Sequence, residues 1–414
     1  MSRHIVVIGG GPSGMMAAIA AQKEGGQVTL VEKNEKLGKK LYITGKGRCN
    51  VSNDADTQGL IRNIPHNGRF LFSAFESFSP QDLCALLHAN GCDTVVERGQ
   101  RVFPASNKAS DVTKALEKAM LGAKILLHTQ VADLILDGSQ VKGVALSNGK
   151  TLSCDAVIIA TGGLSYPSTG STGDGYFFAQ SCGHTVTDTS PALVPINLRD
   201  AWAKSLQGLT LKNVRLTAMT GKKRLFSEQG ELLFTHFGIS GPLVLSLSSY
   251  LVGIQGKIDL FLDLKPALTV EKLLDRLQRE VDANPRQELH TLMQGYLPRT
   301  MAALFPDLCD IDAKKAIGTL SLAQRRAIAQ TLKKLSLTFD GVRSFSEAVI
   351  TSGGVCTKEI NPSTMESKLI QNLYFAGEVI DVDALTGGFN LQIAFSTGYK
   401  AGKSAATINF KENK

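Results

Sequence analysis

Apolar residues along this chain follow two different periods, and the places where the period changes divide it into segments. His4 to Ile8 and Val28 to Val31 are short, almost wholly apolar runs suited to strands buried on both faces. Between them, Ala17, Ala18, Ala20 and Ala21 supply the small side chains of a helix that lies close to a sheet. Helical spacing recurs over Pro80 to Ala89 and Ala109 to Leu121, with a short hairpin between them from Thr94–Glu97 and Val102–Pro104. Lys124 to His128, Gln130 to Asp137, Val141 to Ser147 and Thr151 to Ser153 read as successive strands, with Asp137-Gly138 and Asn148-Gly149 as turns of a meander. Ala156 to Gly163 is again a fully apolar strand, ending in a small-residue turn, and Thr172 to Tyr176 opens a helix to about Ser181.

Beyond Pro191 the alternation of strand and helix gives way to short strands over Val214 to Thr220, Lys222 to Ser227, Glu231 to Thr235 and Lys257 to Leu264, the pattern of a small barrel or sandwich. Val270 to Val281, Gln287 to Gly295, Arg299 to Leu304 and Leu322 to Leu335 then carry helical periodicity with no strand among them. Strands return at Ser336 to Phe339 and Phe345 to Ile350, and Leu373 to Ala376 precedes a final helix opened by Thr386 to Gln392. The fold class this predicts is α/β: a Rossmann-like domain with a central parallel sheet and β-meander, interrupted by a β-barrel insert that itself carries a helical insert. The expected boundaries are 1–190 with 346–414 for the first domain, 191–269 with 336–345 for the barrel, and 270–335 for the helical segment. At 414 residues, more than one core is expected.

The turn after the first strand carries the most specific chemistry. Gly9 permits a tight turn, Gly11 lets backbone approach a pyrophosphate, and Gly14 allows the helix to lie against the sheet, while Glu32 ends the second strand where its carboxylate can accept from ribose hydroxyls. The helix start then turns its amides and positive dipole end toward phosphates. This is a site for the adenosine half of a dinucleotide, and the acid disfavours a 2′-phosphate there. The loop from Lys40 to Asn50 is rich in glycine and cations, Lys46 and Arg48 among them, and is expected to wrap the same ligand; the alternative is a solvated loop.

Composition narrows the class. Hydrophobic residues at 43% and charged residues at 20% fit a globular protein and argue against disorder. The seven cysteines show no Cys-x-x-Cys pair and no metal-ligand spacing, so neither a redox dithiol nor a metal site is expected. No apolar run is long enough to span a bilayer and no leader pattern precedes the first strand, from which a cytoplasmic protein with no membrane association is expected. The net charge of +8 suits anionic ligands, although a solvated basic surface explains it as well.

Far along the chain, Gly377-Glu378-Val379-Ile380-Asp381 follows a strand, and Gly387-Gly388-Phe389-Asn390-Leu391 opens the last helix. Asp381 can accept from ribityl or phosphate-proximal hydroxyls, and the amides from Gly388 to Leu391 at a positive helix end can stabilise charge on the pyrimidine edge of a reduced flavin. A nucleotide fingerprint paired with such a distant element points to FAD rather than NAD alone. The Gly-Gly-Gly-Pro-Ser-Gly start, Lys40 to Asn53 with its Thr44 to Asn50 core, Arg101 to Pro104, Ala160 to Gly163, Thr235 to Pro242 and Thr351 to Val355 with Gly377 to Gln392 resemble the HI0933-like, or BaiN, family of NAD(P)/FAD-dependent oxidoreductases over nearly the whole chain. The resemblance implies FAD contacts at Gly9, Gly11, Pro12, Ser13, Gly14, Glu32, Lys40, Thr44, Gly45, Gly47, Arg48, Cys49 and Asn50. It implies further contacts at Ala160, Thr161, Gly162, Gly377, Glu378, Asp381, Gly387, Gly388, Asn390 and Leu391, and Lys33 and Val131 are expected to join them.

The family's named chemistry is reduction of conjugated double bonds in 3-oxo bile-acid intermediates, which implies a reaction type. FAD is expected to be non-covalent, with NAD(P)H as a transient co-substrate because only one nucleotide fingerprint is present. Candidate catalytic residues are Tyr166 and His236 as proton donors and Arg101 as a substrate ligand, although a lone Tyr or His more often has a bland role, Tyr166 packing against the ring and His236 capping a turn. The expected partner is a small molecule and not nucleic acid. An RNA-modifying flavoprotein is the alternative, raised by Lys212, Arg215, Lys222, Lys223 and Arg224, and a non-catalytic flavin sensor is a third reading. The helical insert is expected to cap the cofactor, or else to serve structure or dimerisation.

Overall fold

A computed structural model describes residues 2–407, with the side chain of Lys46 outside the described residues. The chain up to Ala192 together with the segment from Phe345 forms one compact unit, and Leu193–Ser344 forms a second.

The first unit is built on a five-stranded parallel sheet whose order across the sheet is Leu373–Phe375, Ala156–Ile159, His4–Ile8, Gln27–Val31 and Lys124–Leu126. The three inner strands are apolar because helices and loops cover both faces, and Ile5, Val6, Val7, Val157 and Ile158 have no exposed surface. The first helix, Pro12–Lys23, and the last, Phe389–Ala406, pack together through glycine: a Cβ on Gly398 would lie 2.2 Å from Ser13 O, and one on Gly402 would lie 2.1 Å from Ala17 O. The two helix backbones touch, so the N-terminal fingerprint and the C-terminal motif, almost 400 residues apart in the chain, meet over one sheet edge.

Three smaller sheets complete this unit. The predicted meander is present as Val131–Asp137, Gln140–Leu146 and Thr151–Ser153, and the predicted hairpin gains a third strand, Ser52–Asn53. Ser190–Ala192 pairs with Ile350–Ser352, so of the strand expected over Phe345 to Ile350 only the end is paired.

In the second unit six strands close into an antiparallel barrel in the order Ile196–Leu198, Gly238–Ser240, Lys223–Phe234, Thr210–Thr220, Asp259–Asp263 and Leu335–Val342. The two strands expected at Lys222 to Ser227 and Glu231 to Thr235 are one. Gly230, which has the look of a turn residue in the sequence, pairs with Val214 at a register shift whose extra residue lies in the partner strand between Leu211 and Val214. Pro242–Leu251 is a helix that the apolar pattern did not reveal, although Pro at its first position is a start signal. The helices Val270–Ala283, Leu289–Met293, Arg299–Leu308 and Leu322–Lys333 bury Leu273, Leu292, Phe305 and Ile328 in the same apolar cluster as the barrel residues Leu216, Leu232 and Leu262.

Candidate functional site

Ligands of open parallel sheets bind beyond the carboxyl ends of the strands. In the first unit a cavity enclosing about 1310 Å³, its open mouth included, lies there. Its lining draws on the turn after each of four adjacent strands: Gly9 to Ser13, Glu32 to Asn34, Ala160 to Gly162, and Glu378. Glu32 follows the fourth of these strands and Glu378 the first, so three strand spacings of about 4.8 Å separate them by roughly 14 Å. The site is elongated, as a dinucleotide requires.

At the fingerprint end, local geometry follows from close packing. A Cβ on Gly14 would lie 1.9 Å from Gly9 O, so only glycine lets the helix begin so near the turn. The helix-start amides have no intrahelical acceptor. Glu32 is 8% exposed, and its carboxylate accepts from Gly10 N at 2.7 Å, Asn34 N at 2.8 Å and Asn34 Nδ2 at 2.7 Å. Of about four acceptor positions on a carboxylate, three are used, so this residue fixes the turn and has room for about one more donor. Lys33 pairs with Asp174 at 2.7 Å and donates to Thr172 Oγ1 at 2.5 Å, tying the second strand to the helix Asp174–Ser181.

At the other end a polar cluster forms from four segments. Lys40 Nζ lies 2.8 Å from Glu378 Oε2 and donates to Ser165 Oγ at 2.5 Å, while Ser165 Oγ donates to Glu378 Oε1 at 2.7 Å and Thr351 N to the same oxygen at 2.8 Å. Burial pushes the Glu378 carboxyl up, but Lys40, Ser165 and the Thr351 amide outweigh it and hold the group below its ordinary value. Beside this cluster Asp383 is 2% exposed; its Oδ1 accepts from Ser352 Oγ at 2.8 Å, and its Oδ2 has no hydrogen-bond partner. Burial drives its carboxyl up to about 6. Asn390 positions the loop that carries Asp383 by accepting from Ala384 N and donating to Ala384 O, both at 2.8 Å.

Gly9, Gly11, Pro12, Ser13, Glu32, Lys33, Lys40, Thr44, Val131, Ala160, Thr161, Gly162, Glu378, Asn390 and Leu391 all line the cavity. Gly14, Gly45, Gly47, Arg48, Cys49, Asn50, Gly377, Asp381, Gly387 and Gly388 do not. Several of these support the wall from behind: Gly377 packs on Ser13, and Gly388 packs on Ser52 O. Arg48 turns outward to Glu97 and Asn107 and stacks on Phe103. Cys49 is buried, which pushes its thiol up to about 12. Asp381, half-buried, accepts from Asn67 Nδ2 at 3.1 Å.

Among the candidate catalytic residues, Tyr166 is half-buried outside the lining, with its phenol pushed up by burial and by Glu347. Arg101 is exposed near Glu97, and His236 belongs to the second unit, where it is exposed beside Phe237. Sequence reading missed Asn34, Ser165, Thr351 and Asp383. Asp383 alone had a local signal, two residues past the Glu-x-x-Asp motif.

The excess charge is unevenly divided. Residues 193–344 carry 21 Lys and Arg against 14 Asp and Glu, so +7 of the net +8 belongs to the second unit. Lys212, Arg215, Lys222, Lys223 and Arg224 are exposed on one hairpin of its barrel, and none makes an ion pair among the described residues. Among those residues no helix is long and apolar enough to cross a membrane, and no group of three or more His, Cys, Asp or Glu is placed to hold a metal ion.

The HI0933-like protein Rossmann domain family model matches residues 3–404. The chain is 31% identical over 408 residues to the 3-dehydro-bile acid delta(4,6)-reductase of Clostridium scindens, spanning 97% of this chain and 99% of that protein. It is 32% identical over 400 residues to the ribosomal RNA dihydrouridine synthase of Haemophilus influenzae, spanning 95% and 96%. Among solved structures, the 3-ketosteroid delta1-dehydrogenase of Sterolibacterium denitrificans in complex with 1,4-androstadiene-3,17-dione matches with a TM-score of 0.52 at 14% identity, over 98% of this chain and 100% of that one. At that identity the likeness is one of fold.

Proposed function

The chain belongs to the HI0933-like family, and from that premise we propose that it is an FAD-dependent oxidoreductase that passes hydride from NAD(P)H, by way of non-covalently held FAD, to an activated, enone-type carbon–carbon double bond. The observation that carries this reading is the elongated cavity across four strand ends, with the helix start at Gly11 to Ser13 in its lining. These features fit FAD: Glu32 has acceptor capacity left for a ribose hydroxyl, the first helix start favours a pyrophosphate, and the start of the last helix favours negative charge. FAD, when bound, supplies the hydride chemistry. The chain's own residues orient it, exclude water with apolar walls such as Val131, Phe178 and Leu391, and keep the Lys40–Glu378 pair as a fixed, neutral support.

The test is anaerobic reduction of the purified yellow protein by NADH and by NADPH, followed by reoxidation with enones and dienones. Reduction by a nicotinamide and rapid reoxidation by at least one enone is the expected result. A protein reoxidised by oxygen and by no organic acceptor would be a sensor rather than a reductase.

A second reading shares the chemistry and changes the substrate. Dihydrouridine is uridine with a saturated ring double bond, two relatives are named as ribosomal RNA dihydrouridine synthases, and the second unit holds nearly all the net positive charge. This reading expects RNA affinity that falls steeply with salt and a loss of affinity in a Lys222→Glu/Lys223→Glu/Arg224→Glu variant. Salt-independent, weak binding would leave the small-molecule reading alone.

A further inference from the structure

We propose that Asp383 is the proton donor of this site, the carboxylic acid that completes reduction of the double bond; the assignment rests on the flavin-linked reading above. It competes with the sequence-based candidates Tyr166 and His236 and starts from geometry. Asp383 lines the same cavity as Glu378 and Asn390, it is 2% exposed, and one of its two oxygens is committed while the other is not. Ser352 Oγ donates to Oδ1 at 2.8 Å, so Oδ2 is left as the atom that can carry a proton, and no group among the described residues hydrogen-bonds to it. Buried polar atoms almost always have a partner, and an exception in a cavity wall marks a place where a ligand supplies one.

The surroundings decide which protonation state Asp383 holds. Lys40, which lines the same cavity, is spent on Glu378 and Ser165. Desolvation is the largest influence on Asp383 and favours the neutral acid; Asp381 and Glu378 act in the same direction, against the Ser352 hydrogen bond and exposed His66. A neutral carboxyl can give a proton where a carboxylate cannot, and a value up to about 6 lies close enough to neutrality for repeated proton transfer. Glu378 sits in the same wall with the opposite bias, held ionised by Lys40. Two carboxyls whose environments push them apart are the arrangement from which acid and base roles are assigned.

The step balances as follows. FAD in its reduced form, when bound, would supply the hydride that bonds to the β-carbon of the enone as the electrons of the double bond shift toward the carbonyl. The Asp383 O–H bond breaks, its proton joins the α-carbon, and the electron pair stays on Oδ2. The carboxylate regains its proton from water, and Ser352 holds Oδ1 throughout. Asp383 is thus a catalytic residue and Ser352 a positioning residue.

Asp383→Asn in the flavin-loaded protein tests this, because the amide oxygen preserves the acceptor for Ser352 and removes the proton. The expected result is wild-type flavin content, wild-type reduction by the nicotinamide, and reoxidation by 2-cyclohexenone slowed on the order of a hundredfold. In the wild type reoxidation is fastest at acid pH and declines as pH rises through the Asp383 value; the variant loses that dependence. Infrared difference spectra across the same pH range give a readout independent of turnover: a protonated carboxyl C=O band that titrates in the wild type and is missing in Asp383→Asn. Unchanged reoxidation in the variant, loss of FAD from it, or no titrating band in the wild type would each overturn the assignment. A titrating band in a wild type that no enone reoxidises would uphold the acid and sink the enone reading instead.

Discussion

Lys40→Met probes the polar cluster at the Glu378 end with a side chain of similar length and no charge. The substitution removes one ion pair at 2.8 Å and one hydrogen bond to Ser165 at 2.5 Å. Deleting one partner of a fully buried pair costs about 3–5 kcal/mol, because the other charge stays behind uncompensated. Here the Lys40 and Glu378 side chains are 24% and 20% exposed. Glu378 also keeps its bonds from Ser165 and Thr351, so the expected loss is smaller, about 2–3 kcal/mol at pH 8. The sign of its pH dependence follows from linkage. In the wild type the Glu378 carboxyl is depressed, so its stabilisation is complete above the unfolded value of about 4.3 and is lost as pH falls through the folded one. Without Lys40 only the Ser165 and Thr351 hydrogen bonds oppose the cost of burial and the carboxyl rises, so the deficit is greatest at pH 8 and shrinks on acidification as Glu378 takes up a proton. Urea unfolding followed by circular dichroism at about pH 8 and pH 5, with flavin content recorded, measures it. The Lys40→Met/Glu378→Gln double variant should recover much of the loss. An equal deficit at both pH values, or a double variant no more stable than the single, would refute the argument.

Glu32→Ala should weaken FAD retention by about 1–3 kcal/mol, roughly five- to 150-fold in Kd, because it removes a ribose acceptor and frees the Gly10 and Asn34 amides from their anchor; equilibrium dialysis reads it, and an unchanged Kd would exclude the ribose role. Gly402→Ala places a Cβ 2.1 Å from Ala17 O and should lower stability by about 1–3 kcal/mol through separation of the two helices, measured by denaturant unfolding. Cys49 and Cys92, with thiols pushed up by burial to about 12 and about 11, should resist alkylation at pH 8 until the protein is unfolded, as mass spectrometry after timed labelling would register. Acid or heat denaturation should release unmodified FAD into solution, and colour retained on the precipitated chain would contradict a non-covalent cofactor.

Much of the fold was legible because its signals are short-range. The fingerprint turn, the buried strands and the capped helix Pro80–Ala89 each depend on residues within a few positions of one another, and steric and periodic rules act over that distance. Where the reading differed, tertiary packing overrode a local signal. Gly230 reads as a turn in isolation, yet it pairs with Val214 inside a continuous strand, opposite a bulge in Thr210–Thr220. Pro242–Leu251 reads as an apolar run of ambiguous period and is a helix packed against the barrel.

The sequence by itself determined that a dinucleotide fingerprint opens the chain, that a Gly-Glu motif and a Gly-Gly helix start close it, and that cations outnumber acids. Only the tertiary structure decided which cations are free. Lys33, Lys40 and Arg48 are consumed by Asp174, Glu378 and Glu97, while those of the barrel hairpin are not paired. It alone brought Lys40, Ser165, Thr351 and Glu378 into one hydrogen-bonded cluster from four separate segments, and placed Asp383 in the same cavity lining as Lys40 and Glu378. The physical reason is that burial and pairing are properties of three-dimensional neighbourhoods. A carboxylate's identity can be read from the chain, but whether it is neutralised, like Glu378, or left with an oxygen facing a cavity, like Asp383, depends on what the fold places beside it.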